Sequence, residues 1–536
     1  MHGRRSAYYI VGEGVCREPG LLSGGHGCPV GGAAGAPAGA SFRFGRMFPL
    51  PPRRMTAGEW FELSEGLLRL GLCMNDPVKY CKQEPGPLPP LSDIPAGYTY
   101  LGQFIAHEIT FDNTQDLPMV EVDPQSLRSP SLDLDSLYGG GPGDAESLRL
   151  YEEASAPARL KVNTTIPPEG FPDAFKFDND LPRDEKTGEA LVAERRSDEN
   201  LAVAQTHVAF IKFHNKVVET LKEAGYDGDD LFECARKHVI RHFQWIVLYD
   251  YLPRVVDAGV LDCVLSHGRR WFRVKREEDL YMPLEFSAAA FRIGHSMVRQ
   301  TYDWNIYHST QLFGGRLVPL AQMFDLTVFN RPADLPPSPW SLPSDWVIDW
   351  RRFYQFPDFP TGPNYRPAPT GVNMAARIDT NFDLRLDTMP FNHGDLPPEK
   401  RSITVRNLLR GFALGLPTGE EVAEQMGEVP LRPYKVARGP HKEVLSSPAF
   451  KGKTPLWYYI LKEAELNGGR LGAVGSRIVA ETFVGLIENS RYSILDGRKK
   501  WYPRYTRRGV PETESAVFEM TDLLDFAGVV NPIGGD

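Results

Sequence analysis

The chain has 536 residues, with 60 basic against 69 acidic side chains and a formal charge of −9. An acidic chain without a concentrated basic footprint excludes a nucleic-acid-coating protein. Its 42% hydrophobic and 11% aromatic residues exclude pervasive disorder. Local basic stretches such as that at Arg299 occur, but none forms a long run.

The first 45 residues hold twelve glycines and little periodicity, so residues 1–55 are expected to form a flexible Gly-rich arm. Arg4-Arg5 is not followed by a compact apolar segment, no signal peptide is expected, and cytoplasmic is the default location. No stretch supplies the ~20 apolar residues of a membrane span. The cysteines are Cys16, Cys28, Cys73, Cys81, Cys234 and Cys263, without a Cys-x-x-Cys. Cys73 and Cys81 can pair, yet the pattern demands no oxidising compartment.

A helix is expected over 56–79, then a Pro/Gly-rich linker around Pro85–Pro95, then a buried helix over 98–112. A long polar stretch, 113–190, contains the turn signal Ser131-Leu-Asp133-Leu-Asp135-Ser-Leu-Tyr138-Gly-Gly. The next helix runs from Ser197 to about Glu223, with Ser197 or Asp198 as its cap. Further helices are expected over 230–249, ending before Leu252-Pro253, and over Phe286–Val298. Residues 319–395, rich in proline and aromatics, read as an ordered wrapping region. Helices return at 401–414, 418–425 and 475–489. Strand signals are sparse. The fold class is mostly α: one large domain over 56–525 with long loops, little β structure and a tail at 526–536.

Of the twelve histidines, His238 and His242 share a helix face, but nothing completes a zinc set. His107-Glu108 is not a zinc-hydrolase motif, because Phe111 stands where the second histidine belongs. Gln103 lies one turn before His107 on the same face, with the small Ala106 between them. An imidazole, an amide and open space suit a pocket where a neutral histidine moves a proton between two oxygens. A core histidine bonded to a backbone carbonyl explains the same residues.

Several motifs then follow in order: Gly102-Gln103-Phe-Ile-Ala-His107-Glu108, Leu132-Asp133-Leu-Asp135-Ser-Leu-Tyr138-Gly, Arg196-Ser-Asp-Glu199-Asn200, His214-Asn215, Phe291-Arg292-Ile-Gly-His295, and Asn407-Leu-Leu-Arg410-Gly followed by Gly415-Leu-Pro417. In this order they resemble the animal-type haem peroxidases of the peroxidase–cyclooxygenase superfamily, over roughly residues 60–520, and so imply a haem-peroxidase-like helical domain. The resemblance implies that His107 is the distal histidine, Gln103 its neighbour and Arg196 the distal arginine. A base and a fixed cation suit O–O cleavage, which creates an anionic leaving group. It implies His295 as the proximal haem-iron ligand, with the Asn407 carbonyl accepting its other ring proton, and Arg292 and Arg410 as haem-propionate partners.

Glu199 matches the family glutamate that esterifies haem. Ala106 and Asn200 occupy the other two linking positions, so one covalent link at most is implied, on an otherwise b-type haem. A Ca²⁺ is implied as well, held by Glu108, where aspartate is typical, and by Ser129, Ser131, Asp133 and Asp135. The oxygenase branch carries a tyrosine three residues before the proximal histidine. Arg292 stands there, which favours a peroxidase using hydrogen peroxide on small organic donors or a halide. The alternatives are a fatty-acid dioxygenase using another tyrosine, such as Tyr302, and a non-catalytic haem-containing adhesion protein.

Overall fold

A computed structural model describes residues 7–10, 14–17, 42–50, 55–81, 90–111, 125–126, 128–152, 158–310, 315–327, 341–357, 367–382, 402–497 and 500–534. Its longer helices are α1 (Ala57–Asn75), α2 (Gly97–Ile109), α3 (Leu201–Glu223), α4 (Gly228–Ile246), α5 (Ala258–His267), α6 (Ile403–Ala413), α7 (Leu456–Leu466) and α8 (Ala473–Glu488). They form one mostly helical domain around a continuous apolar core. Short two- and three-stranded pairings fasten the loops.

α1 starts on a reciprocal cap, Thr56 with Glu59. It lies directly on α6, because Gly71 has no side chain where a Cβ would come within 2.7 Å of Val405 backbone atoms. Thr404 Oγ1 donates to Gly71 O at 2.7 Å across the same contact. This approach fixes the helix that carries Asn407 and Arg410. Cys73 at the end of α1 is disulfide-bonded to Cys81.

Several expectations are corrected. The arm reaches into the body: Phe44, Met47 and Phe48 are buried, and Glu285 accepts from the Met47 and Phe48 N–H groups at 3.0 and 3.2 Å. Ala7–Ile10 and Gly14–Arg17 form an antiparallel hairpin, while residues 18–41 lie outside the described residues. The supposed linker contains the strand Leu91–Pro95, paired with Met374–Ala376 and leading into α2. α3 begins at Leu201 rather than Ser197. Asp198 is held by Arg183 at 2.7 and 3.0 Å, and Asn200 caps the helix through the Val203 N–H.

The helix after Gly228 does not stop before Leu252-Pro253; it widens into a π turn over Val247–Tyr251 and continues to Val255. Phe286–Val298 is not one helix but a π turn, Phe286–Ala290, and a 3₁₀ turn, Gly294–Met297. The sequence reading missed α5 and α7. The described parts of 319–395 are anchored by buried Trp350 and Tyr354 and by Arg352, which donates to Asp349 and Asp303 at 3.1 and 2.8 Å. The tail packs too, with Val530 O accepting from Trp350 N at 2.9 Å.

Gly71→Ala should lower stability by about 1–3 kcal/mol, because backbone rather than a yielding side chain meets the new methyl. Gly58→Ala, on the same helix with nothing within 4 Å, should raise it by up to about 1 kcal/mol. Urea midpoints at unchanged slope would show the pair of opposite signs.

Candidate functional site

α2 is buried along almost its whole length, and glycine permits this at two points. At Gly97 a Cβ would come within 2.4 Å of the Tyr354 ring; at Gly102 it would come within 2.5 Å of the Tyr251 hydroxyl. Phe104 stacks on Phe210 of α3 at 4.6 Å and meets Phe243 of α4 edge-on at 6.0 Å. Three positions near the end of this run are only half-buried: Gln103, Ala106 and Thr110, spaced as one stripe. His107 borders that stripe, buried, and its Nδ1 has no partner. Its Nε2 stands 3.5 Å from Glu199 Oε2, too long for a strong hydrogen bond. Glu199 also accepts from Gln103 Nε2 at 3.3 Å, and Asn200 Nδ2 donates to Gln103 Oε1 at 2.9 Å. Burial first, and the Arg196 charge second, hold the His107 ring well below the usual histidine range, so it is neutral.

Arg196 is not a free cation over open space. Its Nε and Nη2 donate to Glu194 at 2.9 Å each, and Nη2 also reaches the carbonyls of His107 at 3.1 Å and Thr110 at 2.6 Å. Phe111 lies under the guanidinium at 4.8 Å. Glu194 is fully buried and accepts from Arg128 Nε as well, at 2.8 Å. Burial alone would raise its pKa; Arg196 and Arg128 outweigh burial and hold the carboxyl far below the usual range. Sequence reasoning missed Glu194 and Arg128. A Glu-Arg-Arg run reads as surface, and nothing in the spacing reveals that it is buried.

Glu108, the next residue on α2, faces the opposite way into the 128–138 loop. Its carboxylate accepts from the Leu134 and Ser136 N–H groups, the latter at 3.1 Å. The carboxylates of Glu108, Asp133 and Asp135 converge within 4.8 Å. Asp133 Oδ1 and Asp135 Oδ1 are buried without hydrogen bonds, and Arg128 Nη1 lies 3.5 Å from the latter. Leu132 and Leu134, flanking Asp133, have φ of 51° and 57°, the left-handed region that branched residues avoid. Ser129 and Ser131 bond to each other through their hydroxyls at 2.5 Å. Burial and the neighbouring aspartates push Glu108 up strongly; burial pushes Asp135 up to about 7. Such a cage can hold a hard, oxygen-ligated cation.

The turn Gly294–Met297 packs against α2 and brings His295 to this region. His295 is half-buried, and nothing lies within 4 Å of where a Cβ on Gly294 would stand. Asn407 of α6 contacts His295 Nδ1 at 3.0 Å, but through its amide nitrogen, because its carbonyl accepts from Arg292 Nη1 at 2.8 Å. Arginine only donates, so it fixes the amide orientation. The expected carbonyl-to-His295 contact is therefore reversed. Arg410 is buried on α6, one turn beyond Asn407.

Other candidates stand apart. His242 bonds backbone groups through both ring nitrogens, at 2.7 and 3.0 Å. The Tyr302 hydroxyl accepts from Arg299 N at 2.9 Å, and its ring meets Tyr100. A surface cleft of about 850 Å³ is lined in part by Arg269, Arg270, Arg273 and Lys275. These four belong to one local basic stretch of the sequence, residues 269–276.

Haem fits the α2–His295 region on three observations: the unpartnered buried Nδ1 of His107, the half-buried stripe beside it, and the space at Gly294. The family model described as animal haem peroxidase matches residues 121–327, an interval that excludes α2 and α6. "Heme peroxidase 2" of Caenorhabditis elegans is 26% identical over 421 residues, 75% of this chain and 53% of that protein. "Peroxidase mlt-7" of the same organism is 25% identical over 176 residues, 29% of this chain and 24% of that one. The chain thus spans only a quarter to a half of these relatives. Among solved structures, Peroxidase A from Dictyostelium discoideum has a TM-score of 0.58 at 15% identity, covering 93% of this chain and 95% of that one. The fatty acid alpha-dioxygenase of Oryza sativa has 0.55 at 11%, covering 92% and 80%, and both share the fold. Residues 121–327 thus match the animal haem-peroxidase family, and the chain is similar in sequence to peroxidases and shares the fold of these solved structures.

Proposed function

We propose that the chain is a haem-dependent peroxidase that uses hydrogen peroxide to oxidise small organic donors, phenolic or aromatic, or a halide. The observation that carries this reading is His107: neutral, buried, unpartnered at Nδ1, and beside the half-buried stripe of α2 near His295. When bound, haem supplies an iron that accepts oxidising equivalents from peroxide and passes them to a donor. His107 takes the proton from one peroxide oxygen and returns it to the other as that oxygen leaves. Arg196 sets a fixed positive charge next to His107 for the anionic leaving group. Gln103 and Glu199 line the same side. Arg292, three residues before His295, stands where an oxygenase would place its tyrosine, and this favours the peroxidase reading over the dioxygenase.

His295 is the iron ligand in this reading. Ligation through Nε2 requires the remaining proton on Nδ1 and an acceptor facing it. Asn407 becomes that acceptor if Arg292 leaves its carbonyl for a haem propionate and the amide turns over. Arg410 serves the second propionate. Glu108, Asp133 and Asp135 hold Ca²⁺, with Ser129 and Ser131 adding oxygens; the two orphaned carboxylate oxygens support this. The Cys73–Cys81 disulfide supports an oxidising compartment over the cytoplasm.

Haem added to purified protein should give a histidine-ligated Soret spectrum that His295→Ala abolishes. His107→Ala should keep the spectrum and lose about 10²–10⁴-fold in the peroxide step, read by stopped flow. Wild-type protein that takes up no haem would sink the proposal.

The single ester is expected at Glu199. Acidified organic solvent should extract haem from Glu199→Gln but leave a fraction on peroxide-treated wild type; equal extraction from both would remove the link.

Removing Ca²⁺ with a chelator should lower the melting temperature of wild type. Asp135→Asn, already lacking one ligand charge, should show a much smaller shift. A chelator without effect on wild type would leave the carboxylate cage as a purely structural loop.

A further inference from the structure

Every strong donor around the unused space of a catalytic arginine has to be held in place, and here one buried group does so. Arg196 has three guanidinium nitrogens. Nε and Nη2 are both bound to Glu194, and Nη2 also meets two carbonyls at the end of α2. Nη1 takes no hydrogen bond among the described residues. Glu194 also accepts from the Arg196 backbone N–H at 2.9 Å, so side chain and main chain of one residue are fixed by the same carboxylate. Glu194 is completely buried, and Arg128, itself tied to the Ala193 carbonyl at 2.6 Å, anchors it from the far side. A carboxylate without exposure, gripped by two guanidiniums, has one geometry available to it.

We infer that Glu194 is a positioning residue: it locks the Arg196 guanidinium beside the end of α2 that carries His107, and leaves Nη1 as the nitrogen without a hydrogen bond among the described residues. Resting on the peroxidase reading, this assigns to a residue that touches neither haem nor peroxide control over how well Arg196 stabilises an anion. A fork held at two nitrogens keeps its third aligned before the reaction and loses little freedom during it. Without the carboxylate, Arg196 would keep only the two carbonyl contacts through Nη2 and could rotate about that nitrogen. Arg128 would then keep Asp135 as its remaining carboxylate partner, at 3.5 Å.

The test compares wild type, Glu194→Gln and Glu194→Asp as haem-loaded proteins, with two readouts beside melting temperature. One is the rate constant for reaction with hydrogen peroxide. The other is cyanide affinity from the Soret shift, which probes a bound anion and no turnover. Glu194→Gln should slow the peroxide step about tenfold to hundredfold and weaken cyanide about tenfold, while KM for a phenolic donor stays put. Glu194→Asp keeps the charge but withdraws it by one carbon, and should slow the peroxide step by only about threefold. Wild-type rates and cyanide affinity in Glu194→Gln would overturn the inference and leave the peroxidase reading standing. So would an Asp variant as impaired as the Gln variant, since charge would then not be what positions Arg196. If Glu194→Gln does not fold, a Glu194→Asp protein with both wild-type values overturns it. Wild type that binds no haem overturns both.

Discussion

The organisation of the site follows from how deeply α2 is buried. A helix packed against aromatic rings along most of its length has few directions in which a polar side chain can point without a partner. Gly97 and Gly102 let Tyr354 and Tyr251 come against its backbone. What remains is one half-buried stripe, on which Gln103 meets Glu199 and Asn200, and one opening toward the 128–138 loop. Gln103 and Ala106 lie on the first, with His107 at its edge, and Glu108 fills the second. Adjacent residues diverge by about 100° around a helix, so the dipeptide His107-Glu108 places the proposed proton-transfer group and the carboxylate cluster on different sides of one element.

Between those two sites runs a chain of buried charge: Asp135, Arg128, Glu194, Arg196. Removing Arg128 would take the cation from Asp135 and one of two from Glu194, and removing Arg196 would leave Glu194 with Arg128 alone, so either change costs more than the pair contributes. The order of signs also matters. Glu194 is held ionised by two cations, whereas at the Glu108, Asp133 and Asp135 cluster Arg128 lies 3.5 Å from Asp135, and Glu108 and Asp135 are pushed toward their protonated forms. The cluster is thus short of positive charge in a place where the backbone, at Leu132 and Leu134, is held in an unfavourable conformation to keep it assembled. The divalent cation proposed for this cluster would relieve the repulsion and give the two orphaned oxygens a partner.

The motifs with fixed short spacing were the legible ones. Gln103, His107, Asp133, Asp135, Glu199 and His295 each lie in a short motif whose order along the chain carries the resemblance, and the α-rich class follows from periodicity over α1, α3, α6 and α8. Burial of charge was not legible. Arg196 in Glu194-Arg195-Arg196 looks like a solvated run until Arg128, 66 residues before Glu194, closes over it. Helix breaks at the His295 segment escaped detection because the Ala288-Ala289-Ala290 run favours any helical turn, and only packing of Phe286 on Phe291 and Phe483 selects the wider one. The cluster Arg269, Arg270, Arg273, Lys275 and Arg276 was passed over because the acidic total masks it. Glu481, buried on α8, fixes the backbone there by accepting from the Trp271 and Phe272 N–H groups.

The Asn407 amide shows how one donor-only side chain can determine the state of a ligand. Arg292 cannot accept a hydrogen bond, so it takes the carbonyl of Asn407 and turns the amide nitrogen toward His295. A ring nitrogen facing an N–H must be the unprotonated one, and the proton then sits on Nε2, the atom needed for a metal. The proposed ligation through Nε2 needs the other tautomer. In the proposed haem reading, an anionic group that drew Arg292 away would release the carbonyl and let the amide rotate, so that Nδ1 would carry the proton and Nε2 would be free to hold iron. The anion that draws Arg292 away and the metal that needs Nε2 belong to the same molecule in the haem reading. In that reading the ring tautomer of His295 would be coupled to capture of a carboxylate by Arg292, with Asn407 as the link between them.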